Sequence, residues 1–150
     1  KIITVLNSRV HSHCIKNNIN YELVDKNNKN YIFDVIANLD IDLILSSGFP
    51  FILPKYVIDN SKVIVNSHPA LLPKYKGYNA IKDALASGEK EIGVTLHYID
   101  EKVDSGKIIF QKKTNISDMS INKIYRKIFG ELEPFVIEKG LEILMVNINE

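Results

Sequence analysis

Short strand-like runs recur at residues 2–6, 21–24, 42–46 and 63–65, β-branched and apolar in the first and last, and this recurrence admits few architectures. Each run is too short for a helix and gives way to polar residues, glycine or proline, so each reads as a buried strand. Between them, residues 10–18 are weakly helical. Residues 31–39 place apolar side chains at 32, 33, 35, 36 and 39, which is helical spacing. Farther on, residues 79–87 read as a helix stopped by Gly88, and residues 93–99 alternate as a half-buried strand with residues 107–112 as its partner. Residues 120–144 carry the apolar period of a long helix, kinked or broken near Gly130 and Pro134. This alternation predicts an α/β fold, a mostly parallel sheet with helices on both faces. Ligands of such sheets sit beyond the carboxyl ends of the strands.

The fourth run ends in the most chemically loaded stretch, Asn66-Ser67-His68-Pro69, followed by Pro73 and Gly77. Pro69 biases His68 towards extended backbone, and Asn66 and His68, two apart, then leave the chain on one face. A carboxamide beside an imidazole at a strand mouth suits the stabilisation of a developing oxyanion. The plainer alternative is a pair of hydrogen-bonded loop residues. A second polar loop, with Asp100, Asp104 and Gly106, follows the strand at 93–99, and two such loops together are what a loop-built active site needs. His97 lies inside that strand and is assigned packing or hydrogen bonding. Ser47 to Pro54 is an apolar loop that either lines a pocket or packs in the core.

Composition narrows the function classes. With 150 residues, 45% hydrophobic and 25% charged, the chain is one domain of an ordinary globular protein. A formal net charge of +1 argues against a bulk nucleic-acid or membrane partner, although Lys74 and Lys76 form a local basic pair. The single cysteine, Cys14, excludes an intrachain disulfide and fits a reducing, cytoplasmic setting. His11, His13 and Cys14 match no closed zinc spacing, and no metal is expected.

The quoted residues also resemble a known family. Asn66-Ser67-His68-Pro69-Ala70-Leu71-Leu72-Pro73 with Gly77 resembles the signature loop of the folate-dependent formyltransferases. Gly93-Val94-Thr95-Leu96-His97, followed by Val103-Asp104-Ser105-Gly106 through Gln111, is similar to their second motif. Gly48-Phe49 through Leu53-Pro54 is similar to their folate-lining loop.

The resemblance implies a Rossmann-like fold of formyltransferase type and a catalytic trio of Asn66, His68 and Asp104. It implies 10-formyltetrahydrofolate as donor, with Phe49, Phe51, Ile52 and Leu53 as an apolar wall and the Lys102–Val103 backbone pairing the pterin edge. The implied acceptor is the primary amine of a small molecule, a nucleotide-linked amino sugar or glycinamide ribonucleotide, with a homodimer left open as the assembly. Methionyl-tRNA as acceptor, hydrolysis of the donor, and a folate-binding module without turnover are the alternatives. The family's first strand and glycine-rich loop have no counterpart here, so residues 1–150 are expected to be a catalytic domain without them. Lys107 stands where the family commonly has proline, and Ser67 where it has an aliphatic residue.

Overall fold

The computed structural model describes residues 2–5 and 8–148, so Leu6 and Asn7, at the end of the first expected strand, lie outside the described residues. The chain divides into two compact units, residues 1–40 with 53–60 and residues 41–52 with 61–150.

In the first unit, β1 (Ile2–Val5) and β2 (Tyr21–Val24) pair in parallel, joined by α1 (Arg9–Lys16). The Ser8 hydroxyl caps α1 by accepting the His11 N–H at 3.0 Å, and Asn28 caps α2 (Lys29–Ala37) by accepting the Tyr31 N–H at 3.2 Å. Caps of this kind contribute about 1 kcal/mol each. Ile32, Phe33 and Ile36 form the buried stripe of α2. A short helix, α3 (Lys55–Asp59), falls just beyond the predicted apolar loop, where the sequence reading places no element. Pro54 sets its start and Val57 is fully buried.

The second unit is built on a four-stranded sheet in the order β3 (Ile44–Ser47), β4 (Ile64–His68), β5 (Glu91–Tyr98), β6 (Ile108–Asn115). β3 and β4 are parallel, whereas β4–β5 and β5–β6 are antiparallel. β4 runs on through Asn66, Ser67 and His68, so these residues are the last of the strand rather than the first of a loop. β5 is buried on both faces from Ile92 to His97, not half-buried as its alternation suggests. The reason is that one face meets the core helices while the other is covered by the loop after β4, whose Ala70 and Leu72 are buried.

The core gathers Val65, Ile92, Val94 and Leu96 of the sheet with Ile124, Ile128, Leu132, Val136 and Leu144. Those last five come from α5 (Ile121–Lys127), one π-helical turn at Ile128–Leu132, and α6 (Glu133–Ile148), so the interruption expected near Gly130 is a single wide turn. Gly140 lets α6 approach closely, because a Cβ there would stand 2.3 Å from Leu96 Cδ2.

Candidate active site

Alternation along β4 sends Asn66 and His68 to one face and Ser67 to the other. Antiparallel register sets His97 opposite Asn66 and Thr95 opposite His68. On the reverse face, Glu133 at the start of α6 accepts hydrogen bonds through Oε1 from Ser67 Oγ at 2.7 Å and Ser47 Oγ at 2.9 Å. The serine that departs from the family's aliphatic residue therefore has a buried carboxylate as its partner.

Asp104 comes from the turn after β5. Asp100 organises that turn by accepting from the Lys102 N–H (3.0 Å) and Ser105 Oγ (2.9 Å), and Asp104 takes a left-handed φ of 46°. Gly106 closes it, since any Cβ there would lie 1.8 Å from the Tyr98 carbonyl oxygen. The register shift between Leu96 and His97 leaves Ile109 of β6 as the extra residue, a bulge beside His97.

These elements bring four side chains together. Asp104 Oδ2 lies 3.3 Å from His68 Nδ1 and accepts the Gly77 N–H at 2.7 Å. Asp104 Oδ1 lies 3.6 Å from His97 Nε2, and Asn66 Nδ2 lies 3.3 Å from the same nitrogen. Both imidazoles are nearly inaccessible, His68 at 4% and His97 at 2%. A carbonyl can only accept, so the 2.8 Å contact of His68 Nε2 with Tyr75 O and that of His97 Nδ1 with Tyr98 O each put a hydrogen on that nitrogen. His97 Nε2 thus faces both the Asn66 carboxamide and the Asp104 carboxylate: a neutral ring presents its lone pair to an amide hydrogen of Asn66, and a cationic ring donates to Asp104.

Burial alone would raise the Asp104 carboxyl. The hydrogen bonds from His97 and the Gly77 N–H, together with the charges of His68 and His97, outweigh it and hold Asp104 below its ordinary value of 3.8.

Chemically, the cluster offers one amide donor not spent on His97, the second N–H of Asn66, and an imidazole–carboxylate pair able to take up and pass on a proton. His68 differs from expectation in one respect: both its ring nitrogens are engaged, so it meets an oxyanion only by exchanging a partner.

The loop carrying the expected apolar wall leaves β3 at the end of the sheet where β4 reaches His68, because Ser47 is in register with Ser67. Phe49 and Phe51 stack edge to face with centroids 5.6 Å apart, and Ile52 is 70% exposed. Leu53 groups with the first unit and is buried. Lys102 and Val103 are exposed, with the Lys102 N–H turned inward to Asp100.

His97 is the member that sequence reasoning set aside. Its only signal is the motif's position on a strand whose register with β4 is not written in the sequence. A supporting network was also missed. The Thr95 hydroxyl donates to Ala70 O (2.6 Å) and accepts from the Leu72 N–H (3.2 Å) and Gln111 Nε2 (2.8 Å), while Gln111 Nε2 also donates to Leu72 O (2.8 Å). It fastens the loop that follows His68.

Comparison with known proteins bears on this geometry. Residues 7–137 match the sequence profile of a family described as formyl transferase. The chain is 33% identical over 112 residues to a methionyl-tRNA formyltransferase of Fusobacterium nucleatum, covering 74% of this chain and 36% of that protein. It is 42% identical over 86 residues to a phosphoribosylglycinamide formyltransferase of Haemophilus influenzae, covering 57% and 41%. It therefore spans about two fifths of these curated relatives' lengths. Among solved structures, a phosphoribosylglycinamide formyltransferase of Anaplasma phagocytophilum superposes with a TM-score of 0.79 at 30% identity, over 93% of this chain and 70% of that one.

Proposed function

Because this chain belongs to the formyl transferase family, we propose that it moves a formyl group from 10-formyltetrahydrofolate to a primary amine of a small-molecule acceptor. The observation that carries the reading is the meeting of Asn66, His68 and Asp104, with His97 between them, at the end of β4. The amine nitrogen attacks the formyl carbon, the carbonyl oxygen becomes an oxyanion, and the bond from that carbon to folate N10 then breaks. The Asn66 N–H donates to the oxyanion, an interaction worth about 3–4 kcal/mol for a well-placed donor. The His68–Asp104 pair takes the amine's proton, and N10 of the departing folate ends with one. Phe49, Phe51 and Ile52 are the apolar side chains that would hold the folate rings, and the backbone at Lys102–Val103 would pair the pterin edge.

For the acceptor we propose a nucleotide-linked amino sugar or glycinamide ribonucleotide. The relatives named above act, by their names, on phosphoribosylglycinamide or on methionyl-tRNA, so methionyl-tRNA belongs in the same assay. Incubating the full-length protein with the donor and each acceptor in turn is expected to yield a formylated product with one of them. Asn66→Ala should lower kcat by about a hundredfold or more. No turnover with any acceptor overturns the reading, and formate release without an amine replaces transfer by hydrolysis.

A further inference from the structure

Tyr75 holds a backbone conformation that an aromatic residue adopts at a cost. Its φ is 54°, in the left-handed region, where a side chain with a Cβ loses on the order of 1–2 kcal/mol. Such a conformation persists only when its surroundings determine it. Part of its surroundings is open, because Tyr75 lines a pocket of about 330 Å³ together with Leu71, Lys74, Ala84 and Glu89 among others. The side chain is tied by a hydrogen bond from Tyr75 OH to Glu89 Oε1 at 2.8 Å, while the backbone is held by the Tyr75 carbonyl's contact with His68 and by the Gly77 N–H bond to Asp104.

Glu89 is itself well placed to anchor. Gly88, at φ 74°, ends α4 (Ala80–Ala86), and the Glu89 N–H returns to Ala84 O at 3.2 Å, so the backbone of Glu89 is tied to the helix end. What Glu89 holds in place, through the phenol, is the Tyr75 carbonyl, the acceptor for the Nε2–H of buried His68 at 2.8 Å. With Nε2 committed as a donor, Nδ1 is the nitrogen that faces Asp104.

We propose that Glu89 is a positioning residue for His68, acting through the Tyr75 hydroxyl and then the Tyr75 carbonyl to keep a hydrogen on Nε2 and direct Nδ1, with the proton it shares with the carboxylate, at Asp104. Its kinetic consequence rests on the formyl-transfer reading, whereas its spectroscopic consequence does not. Tyr75→Phe and Glu89→Ala each remove the anchor. Glu89→Gln keeps an acceptor for the phenol while discarding the charge. Lys74→Ala removes the other partner of Glu89, the ammonium at 3.0 Å, and leaves the phenol contact.

The test records side-chain ¹⁵N–¹H correlation spectra of the histidines in the protein, with His68 assigned by the signals lost in His68→Gln. Wild type, Glu89→Gln and Lys74→Ala should show a persistent hydrogen on His68 Nε2. Tyr75→Phe and Glu89→Ala should show an averaged tautomer. In turnover assays of the full-length protein, these last two variants should each lose about tenfold in kcat with KM changed less than twofold, the size of one lost hydrogen bond. The double variant should be no worse than either single one. Glu89 is partly exposed, so its substitution tests the proposal even if Tyr75→Phe fails to fold. An unchanged His68 spectrum in Glu89→Ala, additive losses in the double variant, or an equal effect from Lys74→Ala would overturn the proposal. Absence of turnover in wild type would overturn the formyl-transfer reading alone and leave the spectra to decide this one.

Discussion

Replacing Thr95 by valine removes one oxygen from a completely buried position and keeps the shape of the side chain. The hydroxyl that goes is the donor to Ala70 O and the acceptor for the Leu72 N–H and Gln111 Nε2. Gln111 retains Leu72 O as a partner, so its loss is minor. The Ala70 carbonyl and the Leu72 N–H are left in residues only 3% and 6% exposed. A backbone group stranded in this way costs about 1–3 kcal/mol, which bounds the pair at roughly 2–6 kcal/mol. The cavity beside the loop also touches Ala70 and Leu72, so water can meet part of the loss. That places the expected destabilisation near the lower end, about 2–3 kcal/mol. At about 2–4 °C per kcal/mol for a chain of this size, Tm should fall by about 4–12 °C. Thermal melts measure the shift, and urea titrations should show a lower midpoint with the same slope. Turnover should fall as well, because the loop released is the one that follows His68. A Tm drop below about 2 °C would show that the network does not hold the loop that follows His68.

Further outcomes follow from Asp104 and Gly106. Asp104 has a folded-state pKa below its ordinary 3.8, so it contributes stability that is full above that value and is lost as pH falls through the depressed one. Asp104→Asn should therefore lower the urea midpoint at pH 7, and the gap to wild type should close below about pH 4; a constant gap across that range would refute the assignment. Gly106→Ala sets a Cβ against the Tyr98 carbonyl and must displace the turn that carries Asp104. It should cost about 1–3 kcal/mol in chemical denaturation and weaken turnover more than substitution of the exposed Lys107 does.

The parts of this molecule legible in its sequence are those written in local pattern. β2 is legible to the residue as a short strand-like run, and the helix near residues 31–39 from its apolar spacing. Asn66 and His68 stood out because a polar pair two residues apart after Val63-Ile-Val is unusual chemistry for a strand end. What the pattern could not carry was relative register. His97 looks like a strand residue with nothing to do until β5 pairs antiparallel with β4 and sets it opposite Asn66. The same holds for Thr95 and Gln111, whose roles exist only across the β5–β6 ladder and the loop over it. Glu133 sits in a sequence that reads as the polar face of a helix. Its burial against Ser47 and Ser67 depends on where α6 begins, which the pattern around Gly130 and Pro134 marked only as a disturbance.

That disturbance acts as a phase corrector. Ile124, Ile128, Leu132, Val136, Gly140 and Leu144 recur every fourth residue, and in an unbroken α-helix such a row drifts by about 40° per step. Five steps would carry it about halfway round the axis, and its far end would turn away from the sheet. One wide turn at Ile128–Leu132 absorbs an extra residue and winds the row back by about 100°, which halves the drift. The timing of that single turn decides which side chain arrives behind β4. Loss of Gly130 there would leave every apolar side chain present, yet it would rotate Glu133 off the serines that lie behind Asn66 and His68.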